Sequence, residues 1–355
     1  MRNGVEISRL LHSVPRKMTA PRRAAYEASY CAHTILRARN ERPDLIIAIS
    51  PALGGAVAGA VLARRFQCPL VLHVQDLMAM ATSQSGLTGA SRTTAITARL
   101  EGWAFRSASK VAVISDGFRE HVSEYGVPDE DIHLVPNWIR IQASTHERDA
   151  ARDELRWSKD RILLIHTGNM GFKQDLANVI GAAKLVENPS IEFILIGDGS
   201  QRRELERQAS GMSNVRFLGV VKDSQYALML AAADVLLINE RSSVREMSVP
   251  SKLTSYLAAG RPIVAAVSQL GASRHFLDQT NGVALLVEPG NPRDLAATLE
   301  DLVSKEEQLT AMRHASRTYA MGFLDRSVGL GKFGELLRQV LASSTSSGAN
   351  SSPDS

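Results

Sequence analysis

Ten short apolar runs rich in β-branched residues recur along the chain, and stretches with helical spacing of apolar positions separate them. The runs are DLIIAIS from Asp44, PLVLHVQD from Pro69, KVAVIS from Lys110, IHLVPN from Ile132, RILLIHTG from Arg161, IEFILIGDG from Ile191, VRFLG from Val215, DVLLIN from Asp234, PIVAAV from Pro262 and VALLVEP from Val283. Strands that are nearly continuous in apolar character are buried on both faces, and when helices join them they form parallel sheets covered on both sides. The fold class is therefore α/β, doubly wound. The series pauses over the polar residues 142–159 and restarts with RILLIHTG, which places a domain boundary there. The expected organisation is a first domain over 1–145, a second over 146–325, a closing helix over 326–342 and a serine-rich disordered tail over 343–355. With 355 residues, 44% of them hydrophobic, the chain can bury two cores. Its longest apolar stretch, Ala52 to Ala63, falls well short of the roughly 20 residues a membrane span needs.

Charge narrows the partners. Lys plus Arg total 41 against 37 for Asp plus Glu, and no zinc-finger, basic-zipper or RNA-recognition pattern occurs, so a dedicated nucleic-acid binder is excluded. The surplus is concentrated in residues 1–42, where Arg2, Arg9, Arg16, Lys17, Arg22, Arg23, Arg37, Arg39 and Arg42 face only Glu6, Glu27 and Glu41. Such a segment suits either an anionic membrane surface or a solvated helix face. Two cysteines, Cys31 and Cys68, make neither a disulfide framework nor a four-thiolate metal site, and a reducing cytoplasmic compartment is expected.

Three segments carry candidate chemistry. His166 to Asp175 (HTGNMGFKQD) joins a strand to a helix expected over 173–186. Gly168 and Gly171 let the backbone approach a ligand, the helix start offers unpaired N–H groups, and Lys173 adds charge. The segment reads as a phosphate cradle or, more plainly, as a tight strand-to-helix turn. Gly197-Asp198-Gly199 ends the next strand on the same rim. In Ser248 to Pro262 (SVPSKLTSYLAAGRP), Pro250 and Ser251 start a helix and Gly260 stops it. Lys252 lies in its first turn, where a cation is unfavourable unless an anion answers it. The acidic trio Asp129-Glu130-Asp131 follows Pro128 and reads as a solvated turn, with no metal role.

In this order the elements resemble the donor-binding half of GT-B glycosyltransferases, specifically retaining glycosyltransferase family 4. GNMGFKQDL is similar to the glycine–lysine loop of the subgroup that builds colanic acid and related exopolysaccharides, and SVPSKLTSYLAAGRPIVAA to its signature helix. HVQDL at His73, LEGWAFRSASKVAVIS and the PNW at Pro136 extend the likeness into the first domain. The resemblance implies two Rossmann-like domains facing a central crevice. It implies transfer of a sugar from a nucleoside-diphosphate donor to a hydroxyl with retention, at the inner membrane face, onto a polyprenyl-diphosphate-linked saccharide. No metal or other cofactor is implied. The donor would be held by Gly168, Asn169, Gly171, Lys173, Gln174, Gly197, Asp198, Gly199, Glu246, Ser248, Pro250, Ser251 and Lys252, and the catalytic candidates are Asp76, His73 and Lys173.

The chain departs from the family pattern in places. Two glutamates eight positions apart are usual around the signature helix, and counting back from Gly260 finds Met247 and Ser255 there, with Glu246 one position off. The frequent first-domain histidine aligns with Gln75, two positions after His73. VEISRLL at Val5 reads as a second strand, so roughly 40–60 residues of an opening βα unit are missing relative to the family. A non-catalytic GT-B partner protein and a GT-B sugar-nucleotide epimerase are the rival readings.

Overall fold

The computed structural model describes residues 4–15, 19–38, 42–50, 52–77, 90–141, 143–244 and 251–349. The chain forms two compact units: Met1–Pro136 together with Leu330–Ser355, and Asn137–Gly329.

In the first unit, α1 (Ala20–Arg37), β1 (Ile46–Ile49), α2 (Leu53–Phe66), β2 (Leu70–Val74), α3 (Ala90–Ser107), β3 (Lys110–Val113), α4 (Asp116–Glu124) and β4 (Ile132–Leu134) follow one another. The strands are parallel and lie in chain order, β1-β2-β3-β4. Ile46 stands opposite Leu70, Val71 opposite Lys110 and Val111 opposite Ile132. β2 is buried along its whole length, whereas Ile47 and Ile49 of β1 are exposed. The strand expected at Val5 is not formed beyond a single bridge at that residue. Val5, Ile7 and Leu11 are all exposed, so no face of that segment is buried to hold it extended against a sheet. The acidic trio sits in a turn of 3-10 helix, and two of its carboxylates are in ion pairs, Asp129 with Arg119 at 2.7 Å and Asp131 with Lys110 at 2.8 Å.

The second unit contains α5 (Arg148–Leu155), β5 (Ile162–Thr167), α6 (Leu176–Leu185), β6 (Ile191–Ile196), α7 (Arg202–Gln208), β7 (Val215–Leu218), α8 (Asp223–Ala231) and β8 (Val235–Asn239). After these come α9 (Ser251–Ala259), β9 (Ile263–Ala266), α10 (Ala272–Asp278), β10 (Ala284–Val287), α11 (Pro292–Val303) and α12 (Glu306–Phe323). Its parallel sheet has the order β10-β9-β8-β5-β6-β7. Side chains alternate across this sheet as strand geometry requires. Leu164, Phe193, Leu195, Leu237 and Val264 pack under Val179, Ile180, Leu295 and Leu299 of α6 and α11. Leu163, Ile165, Ile194, Ile238 and Ala265 pack against Leu253, Tyr256 and Leu257 of α9 on the other face. Each fully buried Leu or Ile contributes about 1.5–3 kcal/mol, so the two-sided core holds the sheet ends in place for any chemistry there.

The last helix, α13 (Arg326–Ala349), starts in the second unit and from Leu330 belongs to the first, where Leu336 and Val340 meet Val71, Ala112 and Val135. Three expectations change. The boundary lies at 136/137 instead of 145/146, the closing helix is part of the first unit's core, and it runs to Ala349 where the serine-rich composition predicts disorder from Ser343.

Candidate active site

The second sheet has a topological switch point. From β5 the chain moves outward to β6 and β7 on one side and then returns to β8 on the other, so the loops after β5 and β8 diverge and open the carboxyl rim between them. The segment after β5 fills this position.

Gly168 N–H donates to the Ile196 carbonyl (2.8 Å), Met170 N–H to the Asp198 carbonyl (2.8 Å), and Gln201 N–H to the Met170 carbonyl (2.9 Å). The two glycine turns are thus laced into one structure. Gly197 has φ +141° and a Cβ there would collide with the Gly168 carbonyl, while a Cβ on Gly199 would come within 2.6 Å of the Met170 backbone. Gly197 is buried under the first loop, whereas Asp198 is exposed and its carboxylate accepts from Gly199 N–H at 2.7 Å. The second turn therefore makes room for the first.

The far end of the loop is fastened to β8. Asn239 Nδ2 donates to the carbonyls of Gln174 (2.8 Å) and Asp175 (2.9 Å), and its Oδ1 accepts from Asn178 Nδ2 (2.8 Å). Arg241 N–H donates to the Lys173 carbonyl at 2.9 Å. Phe172–Gln174 is one turn of 3-10 helix, Asp175 is left-handed at φ 42°, and α6 begins only at Leu176. The helix expected from Lys173 thus starts three residues later, because Asp175 breaks it. Lys173 is consequently displayed on an exposed loop rather than along a helix. The Arg241 guanidinium lies over Phe172, 5.9 Å from the ring centroid, which puts a second cation beside the loop.

A third cation comes from the first turn of α9. The Lys252 Nζ lies within 3.9 Å of the position a Cβ on Gly168 would take. Burial pushes the Lys252 pKa down to about 8, against the pull of Glu240. Glu240 is itself buried just past β8 and accepts from Ser273 Oγ at 2.7 Å. Beneath them His166 has no exposed surface; its Nδ1 bonds the Leu237 carbonyl at 3.1 Å and its Nε2 has no hydrogen-bond partner. Burial first, and then Lys252, hold His166 well below the usual histidine range, so the ring is neutral with its proton on Nδ1. A low-dielectric floor, an open glycine loop and three cations, of which Arg241 has Asp175 at 3.9 Å and Lys252 feels Glu240, suit an anionic ligand.

Gly168, Asn169, Gly171, Lys173, Gln174, Gly197, Asp198, Gly199 and Lys252 share this rim, with Ser251 exposed at the start of α9. Glu246, Ser248 and Pro250 lie outside the described residues. Ser255, where the family pattern has a glutamate, is buried and hydrogen-bonded to Tyr226. Tyr226 and Tyr256 hydroxyls meet Thr167 Oγ1 at 3.2 and 3.0 Å, and Tyr256 also accepts from Thr167 N–H at 2.8 Å. Hydroxyls therefore tie the end of β5 to α8 and α9 where a carboxylate was expected. Asn239, Glu240, Arg241 and His166 were not assigned roles from the sequence; the one signal was the polar triplet Asn-Glu-Arg directly after an apolar strand.

His73 and Asp76 belong to the first unit. His73 is 6% exposed, its Nε2 contacts Gln75 Nε2 at 2.9 Å and its ring packs on Phe333 with centroids 5.3 Å apart. Burial lowers its pKa. Asp76 follows β2; its carbonyl accepts from Ser50 Oγ at 2.7 Å and its carboxylate from Leu77 N–H at 2.8 Å. Among the described residues, no group of three His, Cys, Asp or Glu side chains is placed to hold a metal ion, and no helix is long and apolar enough to cross a membrane.

Residues 1–138 match the family model described as Glycosyl transferase 4-like domain, and residues 161–305 the one described as Glycosyl transferases group 1. The chain is 27% identical over 318 residues to WcaI of Escherichia coli (strain K12), named as a colanic acid biosynthesis glycosyl transferase, across 86% of this chain and 78% of that protein. It is 24% identical over 250 residues to the glycosyltransferase WbjE of Pseudomonas aeruginosa, across 69% of this chain and 62% of that protein. Among solved structures, HepE of Anabaena in complex with UDP matches with a TM-score of 0.68 at 20% identity, covering 90% of this chain and 82% of that one. WaaG, a glycosyltransferase involved in lipopolysaccharide biosynthesis, matches with a TM-score of 0.66 at 17% identity, covering 90% and 83%.

Proposed function

The chain is a GT-B glycosyltransferase of family 4, a glycosyl transferase 4-like domain joined to a glycosyl transferases group 1 domain, and from that premise we propose that it moves a sugar, with retention at the anomeric carbon, from a nucleoside-diphosphate donor to a lipid-linked saccharide in cell-surface polysaccharide synthesis. The observation that carries this reading is the carboxyl rim of the second sheet, where Lys173, Arg241 and Lys252 surround the Gly168 loop. In the reaction the bond between the anomeric carbon and the β-phosphate oxygen breaks, a bond to the acceptor oxygen forms, negative charge builds on the departing diphosphate, and the proton of the acceptor hydroxyl passes to that diphosphate. Lys173 and Lys252 with the loop amides would stabilise that charge without rearranging, which is the largest contribution such a site can make. These cations answer the diphosphate, and the reading requires no metal. His73 and Asp76 are the first unit's candidates for the reacting sugar and the acceptor hydroxyl.

The relatives support the donor class and a polysaccharide setting. HepE was solved in complex with UDP and with UDP-glucose, and WcaI is named for colanic acid biosynthesis. The basic residues of the first 42 positions fit work at an anionic membrane surface, on the cytoplasmic side where nucleotide sugars are made. Thermal unfolding with a panel of nucleoside diphosphates tests the donor half. A ligand at about 100 times its dissociation constant adds about 2.7 kcal/mol, or about 5–10 °C for a unit of this size. A shift with one nucleotide that vanishes in Lys173→Ala upholds the cradle; no shift with any nucleotide overturns it.

A further inference from the structure

The second unit buries two arginines with opposite fates. Arg152 has no exposed surface and every branch of its guanidinium is used: Nε donates to the Ala232 carbonyl at 2.8 Å, Nη1 to the Arg161 carbonyl at 2.8 Å, and Nη2 pairs with Asp234 at 2.5 Å. Arg261, just before β9, is 4% exposed, yet among the described residues its guanidinium donates no hydrogen bond and joins no ion pair, and its Nε is fully buried without a partner. Asp234 and Glu147 act on it only from a distance, and a buried guanidinium with no partner in contact is costly, so natural chains rarely keep one idle.

Arg261 does not face packed protein. It lines a cavity of about 540 Å³ together with Arg148, Arg313, Arg317, Glu147 and Glu306. Glu306 pairs with Arg313 at 2.7 Å and Glu147 lies 3.9 Å from Arg317, so the carboxylates are already engaged. Arg313 also keeps a buried Nε with no partner. Arg148 is answered by Asp149 and Asp234, each at 2.8 Å, so among the described residues Arg261 is the arginine of these walls that joins no ion pair. The crowding is electrostatically felt, since burial and then Arg313 and Arg317 draw the Arg261 pKa down to about 10.

We propose that this cavity is a binding site for a phosphate-type dianion, held by Arg261 and Arg313 and distinct from the donor rim. Guanidinium forks match tetrahedral oxyanions, which accept several N–H bonds at once, and the volume exceeds one phosphate group, leaving space for what carries it. The cavity opens at the amino ends of β8 and β9, whereas the glycine loop sits at the carboxyl ends; the length of β5 alone separates the two rims by about 20 Å. The ligand is either a free phosphate compound or the phosphate of an anionic lipid headgroup.

The test uses the full chain at constant ionic strength. Pyrophosphate is titrated into wild type, Lys173→Ala, Arg261→Met and Arg313→Gln, with thermal stability and calorimetric affinity as readouts. Phosphatidylcholine vesicles with and without phosphatidic acid are run in parallel. Expected is stabilisation in wild type and Lys173→Ala alike, with at least tenfold weaker binding in Arg261→Met and in Arg313→Gln; Arg313→Gln carries the test if Arg261→Met does not fold. A pyrophosphate effect without vesicle binding assigns a free ligand, and arginine-dependent binding to phosphatidic acid vesicles without it assigns a headgroup. The proposal is overturned if neither probe binds, if the arginine variants bind as wild type does, or if only Lys173→Ala loses binding. That last result would place the anion on the donor rim and leave the reading of that rim standing.

Discussion

The two sheets are made from the same kind of apolar parallel strand, and yet among the described strands only the second sheet has a switch point. In the first unit the described strands lie in chain order, so successive crossovers step in one direction and no pair of loops is forced apart. In the second, β5 and β8 are neighbours whose chains leave in opposite directions, and the glycine loop, Arg241 and the Lys252 turn all collect there. Strand order, rather than strand composition, decides which sheet acquires a place for an anion. The first sheet instead ends in self-satisfied groups: Ser50 bridges to the Asp76 backbone and His73 is packed against Phe333.

Replacing Lys252 by Met should produce the largest effect that separates the two sheets. A preorganised cation facing the leaving diphosphate is worth a factor of about 10²–10³, so kcat/KM should fall by that much. Asp76→Asn should lower kcat while leaving nucleoside diphosphate affinity within about twofold, as measured by calorimetry. Equal loss of affinity in both variants would break the contrast.

Gly197→Ala probes how the switch point is built. Its φ of +141° and the collision of a Cβ with the Gly168 carbonyl should cost about 1–3 kcal/mol and displace the loop, which urea unfolding and nucleotide affinity would register together. Unchanged affinity would mean that the loop is not held by this packing.

pH then sharpens the comparison. With Lys252 at about 8 in the free protein, kcat/KM should decline above pH 8 by up to about tenfold per unit, and Lys252→Arg should move the decline upward. The smallest effect is on stability. His166 and His73 both have folded pKa values below the unfolded value, so the unfolded chain takes up the proton first. Their contribution is complete above about pH 6.5 and is lost as pH falls below it, at up to about 1.4 kcal/mol per unit for each histidine. His166→Gln should flatten the acid limb of a stability profile over a wider range than His73→Gln, because the His166 value lies further down.

Sequence alone makes the strands and the rim legible. All ten apolar runs become strands, since β-branched residues in a continuous buried run have few alternatives. Glycines and a lysine after β5 likewise announce a loop that must approach something. What stays hidden is long-range. Asp175 looks like an ordinary third residue of a helix until Asn239, 64 positions away, is found holding its carbonyl. Arg261 in the GRP turn reads as punctuation, and nothing local tells that its guanidinium is enclosed while that of Arg152 is answered. Ser343 onward has the composition of a loose tail, but the helix that leads into it is extended by packing nearer its start, at Leu336 and Val340.

That closing helix also bears on how the protein comes off the ribosome. Strands β2 and β3 emerge early, but the side chains that cover Val71, Ala112 and Val135 arrive only after the whole of the second unit, about 190 residues later. At about 5–20 residues per second this is a delay of roughly 10–40 s during which one face of the nascent first sheet waits uncovered. The second unit, continuous in the chain, can finish first, so the order of completion during synthesis is the reverse of the order of translation.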